Sequence, residues 1–191
     1  MCIRCSWVNP KNPLYIRYHD EEWGKPEKDD KKLYELLILE SFQAGLSWEC
    51  VLNKRENFRI AFDNFDIDKV VNYNDDKINQ LMRNEGIIRN RLKLNAAVKN
   101  SIVYKLIQRE FGSFADYITT FTHGEIFCEE FTQRTTSTLS DAISKDLKKR
   151  GMSFVGSTII YSFLQAIGVI NGHSAECMCY KKDLLCVFLN T

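Results

Sequence analysis

Two cysteine and histidine pairs lie far apart in this chain: Cys5 with His19, and His173 with Cys177. Only three histidines occur, so the placing of two of them beside cysteines suggests one metal site closed by both terminal segments. Thiolate and imidazole together suit zinc, and the spacing of His173 and Cys177 puts them one turn apart on one face of a helix. Seven cysteines leave Cys2, Cys179 and Cys186 as alternative ligands, and unrelated buried thiols as the other reading.

A second constellation surrounds Glu40. Leu33, Leu36, Leu37 and Ala44 recur at three- and four-residue steps, and Glu40 falls on the same stripe. A carboxylate aimed inward must be protonated, be paired, or face a cavity whose ligand supplies donors; escape to water at a helix end is the plainer alternative. Tyr15, Tyr18, Trp23 and Trp48 gather nearby in sequence. Aromatic side chains mostly build cores, but several of them with one strong acceptor would also suit a planar, electron-poor heterocycle such as a flipped nucleobase. A third constellation is Glu85-Gly86-Ile87-Ile88-Arg89, where a short turn before a helix would present backbone amides beside Arg89 and Arg91 as a phosphate site.

The elements that must position these groups read as helices almost throughout. Asp29 and Asp30 cap a predicted helix to about Ala44, and Ser47 caps another from Trp48 to about Phe62. Further helices are expected at Asp66 to Tyr73, Asp75 to Asn84, Ile88 to Phe111, after Ser113 to about Phe121, Ser140 to Arg150 and Val155 to Ile170. The threonine-rich stretch Gly124 to Thr138 reads as a loop, and strand-like alternation is nearly absent. All three prolines precede residue 27 and no repeat or linker interrupts the chain, which favours one compact all-α domain over residues 1–191.

Composition sets outer bounds. A length of 191 residues with 45% hydrophobic content can bury a substantial core. An odd cysteine count and no recognisable leader point to a reducing cytoplasm, not to a secreted disulfide framework, and no apolar run is long enough to cross a bilayer. Net charge is only +1, but Arg89, Arg91, Lys93, Lys99, Lys105 and Arg109 meet no acid before Glu110, and Lys145, Lys148, Lys149 and Arg150 form a second basic cluster. Such runs commonly solvate a helix face; binding of phosphate is the sharper reading.

Longer runs carry a family resemblance. Pro13-Leu14-Tyr15, Tyr18-His19-Asp20 and Glu22-Trp23-Gly24 are followed by Leu39-Glu40, Gln43 to Trp48 (QAGLSW), Leu52 to Asn57 (LNKREN), Gly86 to Arg91 (GIIRNR), Leu147 to Gly156 (LKKRGMSFVG), Tyr161-Ser162-Phe163 and His173. Together these segments resemble the bacterial DNA-3-methyladenine glycosylase I family, the constitutive alkylation-repair enzymes of the helix-hairpin-helix glycosylase superfamily.

The resemblance implies an all-α helix-hairpin-helix glycosylase fold, with the hairpin near residues 75–110. It also implies one structural zinc held by Cys5, His19, His173 and Cys177, and a base pocket of Tyr18, Trp23, Glu40 and Trp48 with Tyr15 and Gln43 beside them. A closed four-ligand site has no position for an activated water, so zinc would hold the terminal segments together. The implied substrate is double-stranded DNA with alkylated bases, bound without a membrane or an obligatory protein partner by a monomer. The enzyme would extrude cationic 3-methyladenine and hydrolyse its weakened glycosidic bond, leaving an abasic site without lyase chemistry. Glu40 would be its catalytic carboxylate, Leu46 an apolar plug for the stack, and Gly86, Arg89 and Arg91 contacts to the DNA backbone. Ile88 stands where the superfamily's hairpin commonly has a second glycine. Phe42 and Glu49, polar and apolar respectively in many members, are expected to alter the pocket rim. A non-catalytic zinc-stapled helical DNA-binding module is the alternative, and a helical protein that binds a small molecule a third; neither needs both an inward carboxylate and a basic hairpin. The apolar tail from Asp183 to Asn190 has no assigned role.

Overall fold

The computed structural model describes residues 3–128 and 134–180 and the backbone of 186–188. Helix α1 (Pro13–Glu21), absent from the sequence reading, starts where the Asn12 side chain accepts from the amides of Leu14 and Tyr15 and Pro13 supplies a preset φ. Helix α2 (Asp30–Gln43) begins as expected, with Asp29 accepting from the Lys32 amide. Its burial is unusual, because every residue from Leu33 to Phe42 is buried. A helix hydrophobic all round is a central one, and α2 packs against α3 (Trp48–Leu52), α7 (Arg91–Phe111), α8 (Phe114–Thr122) and α10 (Ser157–Ala166).

The expected helix from Trp48 to Phe62 is two helices, since α3 ends at Leu52 and α4 (Arg55–Ala61) starts anew. Helices α5 (Ile67–Val70), α6 (Asp75–Arg83) and α9 (Thr138–Arg150) follow the expected segments. The connection between α6 and α7 is longer than predicted, spanning residues 84–90, because Asn90 caps α7 by accepting from the Lys93 amide at 3.2 Å.

Strands correct the reading of an all-helical chain. β1 (Ile126–Cys128), inside the expected loop, lies between β2 (Ile170–Asn171) and β3 (Cys186–Phe188) in a parallel three-stranded sheet, Phe127 facing both Ile170 and Val187. Two or three residues are too few to show alternation, which is why the pattern was invisible. The part of the tail at 186–188 therefore has a place as an edge strand; the rest of that segment lies outside the described residues. Cys128, at the end of β1, is disulfide-bonded, whereas Cys5, Cys50, Cys177 and Cys179 are free thiols.

Two apolar clusters result. The larger is centred on α2 and includes Phe42, Phe58, Phe62, Tyr104 and Phe163. The smaller joins Cys5, Val8, Tyr15, Tyr18, Trp23 and Cys177, and Trp48 packs against both. Among the described residues no helix is long and apolar enough to cross a membrane.

Candidate active site and metal cluster

The junction of the two clusters holds a cavity of about 200 Å³. Tyr15, Tyr18, Trp23, Glu40, Gln43 and Trp48, all expected pocket residues, line it together. Trp7, Ser162 and Gln165 line it as well and were missed. Trp7 packs edge-on to Trp23 at 4.8 Å between ring centroids and lies 5.3 Å from both Tyr15 and His19. It precedes the first helix in irregular chain, where no periodicity marks it.

The polar groups of this cavity are oriented but unsatisfied. Glu40 Oε2, Gln43 Oε1 and Trp48 Nε1 are buried with no hydrogen-bond partner. Native proteins leave few such atoms, because each carries a desolvation penalty of about 1–3 kcal/mol. Burial raises the Glu40 carboxyl well above its usual range, and no cation offsets it. Burial and the charges of Glu49 and Glu40 push the Tyr15 phenol up to about 12; burial, followed by Glu40, also raises Tyr18 well above its ordinary value. The cavity thus combines aromatic walls, two acceptors and one indole donor, and it favours a flat partner that brings positive charge to Glu40.

Of the two departures at the rim, Glu49 bears on the cavity only through its charge beside Tyr15, and Phe42 does not bear on it. Phe42 is fully buried against Phe58 and Phe62 in the main core, so it does not reach the cavity. Glu49 accepts from the side-chain amides of Asn9 and Asn12, each at 2.8 Å, and fastens the segment before α1 to α3. Leu46, on the turn after α2, is 42% exposed, unusual for a leucine beside a buried site.

Cys5, His19, His173 and Cys177 are all buried, and their ligand atoms lie within 4.8 Å of one another. Cys5 Sγ and Cys177 Sγ are each 3.5 Å from His173 Nδ1, and Cys177 Sγ is 3.4 Å from His19 Nε2. These edges match a tetrahedron with metal–sulfur bonds of about 2.3 Å and metal–nitrogen bonds of about 2.0–2.1 Å. His173 and Cys177 do not share a helix as predicted: residues 172–180 are irregular chain with short turns at 175–176 and 178–179, and the Cys177 amide donates to Ser174 O. His19 Nδ1 contacts Asp20 Oδ1 at 2.7 Å, directing Nε2 to the cluster. Arg4 grips that carboxylate and holds it below its usual range. Gly24, at φ +73°, lets the His173 ring in, since a Cβ there would lie 2.8 Å from Nε2. Burial pushes the Cys5 thiol up to about 11, so its thiolate form needs an adjacent cation. Donor type, burial and spacing all fit a metal ion.

The hairpin is held from behind. Lys54 Nζ donates to the carbonyls of Glu85 and Gly86, Asn57 Nδ2 donates to Gly86 O, and a Cβ on Gly86 would lie 3.0 Å from Asn57 Cγ. The LNKREN segment is therefore the seat of the turn. Arg89 and Arg91 are exposed; among the described residues Arg89 pairs with Glu85 at 3.4 Å and Arg91 donates to the Asn79 side chain at 2.7 Å. Of the second basic cluster, Arg150 is engaged by Glu110 and Asp146 and lies over Phe111 and Tyr117.

The family model for methyladenine glycosylase matches residues 7–180. The chain belongs to the methyladenine glycosylase family. DNA-3-methyladenine glycosylase 1 of Escherichia coli (strain K12) is 46% identical over 187 residues, covering 94% of this chain and 98% of that protein. A crystal structure of 3-methyladenine DNA glycosylase I superposes with a TM-score of 0.90 at 43% identity, covering 94% of this chain and all of the other. A variant of such an enzyme solved in complex with 3-methyladenine superposes at 0.89 with 34% identity over 94% and 98% of the two chains. The glycosylase reading made from sequence thus agrees with the family, and the chain is a hydrolase.

Proposed function

We propose that this glycosylase excises 3-methyladenine from alkylated double-stranded DNA in base excision repair, using the cavity between α1, α2 and α3. The observation that carries the assignment of the cavity is the buried, unpartnered Glu40 among Tyr15, Tyr18, Trp23 and Trp48. A cationic base supplies what that site lacks: positive charge for the carboxylate and a flat face for the rings. The normal bases are neutral, so even where an amino group donates a hydrogen bond they bring no charge to the desolvated carboxylate. Binding energy therefore favours the lesion and grows as its base is extruded.

Methylation at N3 already weakens the glycosidic bond, so little acid catalysis is needed. Glu40 accepts hydrogen bonds from the edge of the base and holds the carboxylate charge once the cation arrives. Leu46 fills the gap left in the stack, and residues 84–91 grip the backbone through Gly86, Arg89, Arg91 and the amide end of α7. Water attacks the sugar carbon as its bond to the base breaks, neutral 3-methyladenine leaves with the bonding electron pair and the water's proton passes to solvent; among the described residues no lysine lines the cavity to form a Schiff base. The chain acts as a single glycosylase domain, a monomer in the cytoplasm.

Cys5, His19, His173 and Cys177 hold one zinc that fixes the α1 segment carrying Tyr15 and Tyr18. Incubation of purified protein with methylated DNA followed by identification of the released bases tests the activity: 3-methyladenine is expected, and no release by well-folded protein refutes the reading. Metal analysis should give one zinc per chain, with chelation lowering the melting temperature. A metal-free protein of undiminished stability would refute the zinc.

A further inference from the structure

Within the basic run of α7, Lys93 does not join Arg89 and Arg91 at the surface. It is 6% exposed, and its ammonium donates to Phe42 O at 2.8 Å and Ala44 O at 2.6 Å, beneath the Phe154 ring. These carbonyls end α2 and flank Gln43. Helix α2 has no basic residue in its last turn, and its backbone leaves helical geometry at Ala44; Lys93 supplies the missing C-terminal cation from another helix. Burial lowers the Lys93 ammonium from its ordinary value, an expense compensated only by those two acceptors. The same residue's amide donates to Asn90, the cap that closes the hairpin. One residue is thus bonded through its backbone to the hairpin and through its side chain to the turn carrying Gln43 and Leu46.

We propose that Lys93 is a positioning residue that couples the hairpin's hold on DNA to the placement of the Gln43–Leu46 turn, so that the plug and the pocket wall meet the lesion in register. The inference rests on the roles given above to the hairpin and Leu46. Lys93→Met keeps the length of the chain and removes the donor. It should slow single-turnover excision of 3-methyladenine at least about tenfold, since small misplacements of reacting groups are expensive in rate. Affinity for free 3-methyladenine, read by tryptophan fluorescence, should stay within about twofold, as should affinity for undamaged duplex, because neither needs the two elements in register. The salt dependence of duplex binding should also be unchanged, whereas loss of a phosphate contact would reduce its slope by about one. Combined with Leu46→Ala, the substitution should add little to the loss from Leu46→Ala alone, as expected of residues acting through one turn.

Excision by Lys93→Met at the wild-type rate, a reduced salt slope, a parallel loss of free-base affinity, or independent multiplication of the two effects would each overturn the proposal. Should the methionine variant fail to fold, Lys93→Gln carries the same readouts and the same expectations. Absence of base release by wild type would instead sink the parent reading, and this one with it.

Discussion

Helix α2 buries two carboxylates little more than a turn apart, and they meet opposite surroundings. Glu35 accepts from Arg55 and from Arg59, at 2.8 Å from Arg59 Nη2, while Arg55 also reaches Glu22 at 2.7 Å. Glu40 has an oxygen with no partner at all. Sequence pattern marks only Glu40 as inward-facing, and Glu35 is buried as well because the helix is buried on every face. The partner separates them: Glu35 was given its cations by the fold, which makes it part of the frame joining α1, α2 and α4. On the proposed function, Glu40 takes its cation from the substrate.

The largest effect should come from breaking the paired member. Glu35→Gln leaves Arg55 buried without its full complement of charge and should destabilise the protein by about 3–5 kcal/mol. Denaturant unfolding would measure that, with turnover per folded molecule changing only a few-fold; equal stability would erase the contrast. Glu40→Gln should do the reverse, reducing excision by about a hundredfold or more while the protein stays folded. Normal excision by this variant would show that the unpartnered carboxylate is incidental.

The pH dependence sharpens the same contrast. Because Glu40 is raised above its ordinary 4.5, the folded form keeps a proton that the unfolded chain releases, and stability from this group falls as pH rises through that range. Glu40→Gln removes the loss, so its melting temperature should exceed that of wild type by a few degrees at pH 8 and by less at pH 5; an unchanging difference would contradict the burial. The smallest effect is expected farthest from α2. Arg89→Ala or Arg91→Ala should each reduce the salt slope of DNA binding by about one, with the chemical step intact.

Much of this arrangement was legible, for identifiable reasons. Asp29 and Ser47 act as the caps their side chains suggested, accepting from the amides of Lys32 and Cys50. Glu40 and the aromatic residues share a cavity because helical spacing and short turns fix their neighbourhood. The four metal-ligand candidates meet, although selecting Cys5 and Cys177 over other cysteines required the family resemblance. What escaped were groups placed by long-range contacts. Trp7 sits in irregular chain, Ser162 and Gln165 reach the cavity from α10, and Lys93 reads as one more surface base until its acceptors on α2 are seen. The strands were too short to leave a pattern.

The cysteine–histidine cluster also orders events in time. His173 and Cys177 contact Cys5 and His19 across separations of 168 and 158 positions, so during synthesis the wall formed by Trp7, Tyr15 and Tyr18 can be fastened only after Cys177 has left the ribosome. The main core around α2 also needs α10, which ends at Ala166, so it too completes late, but it does not wait for His173 and Cys177. A chain cut before His173 would keep the partners of the main core and lack the contacts that fasten the cavity wall.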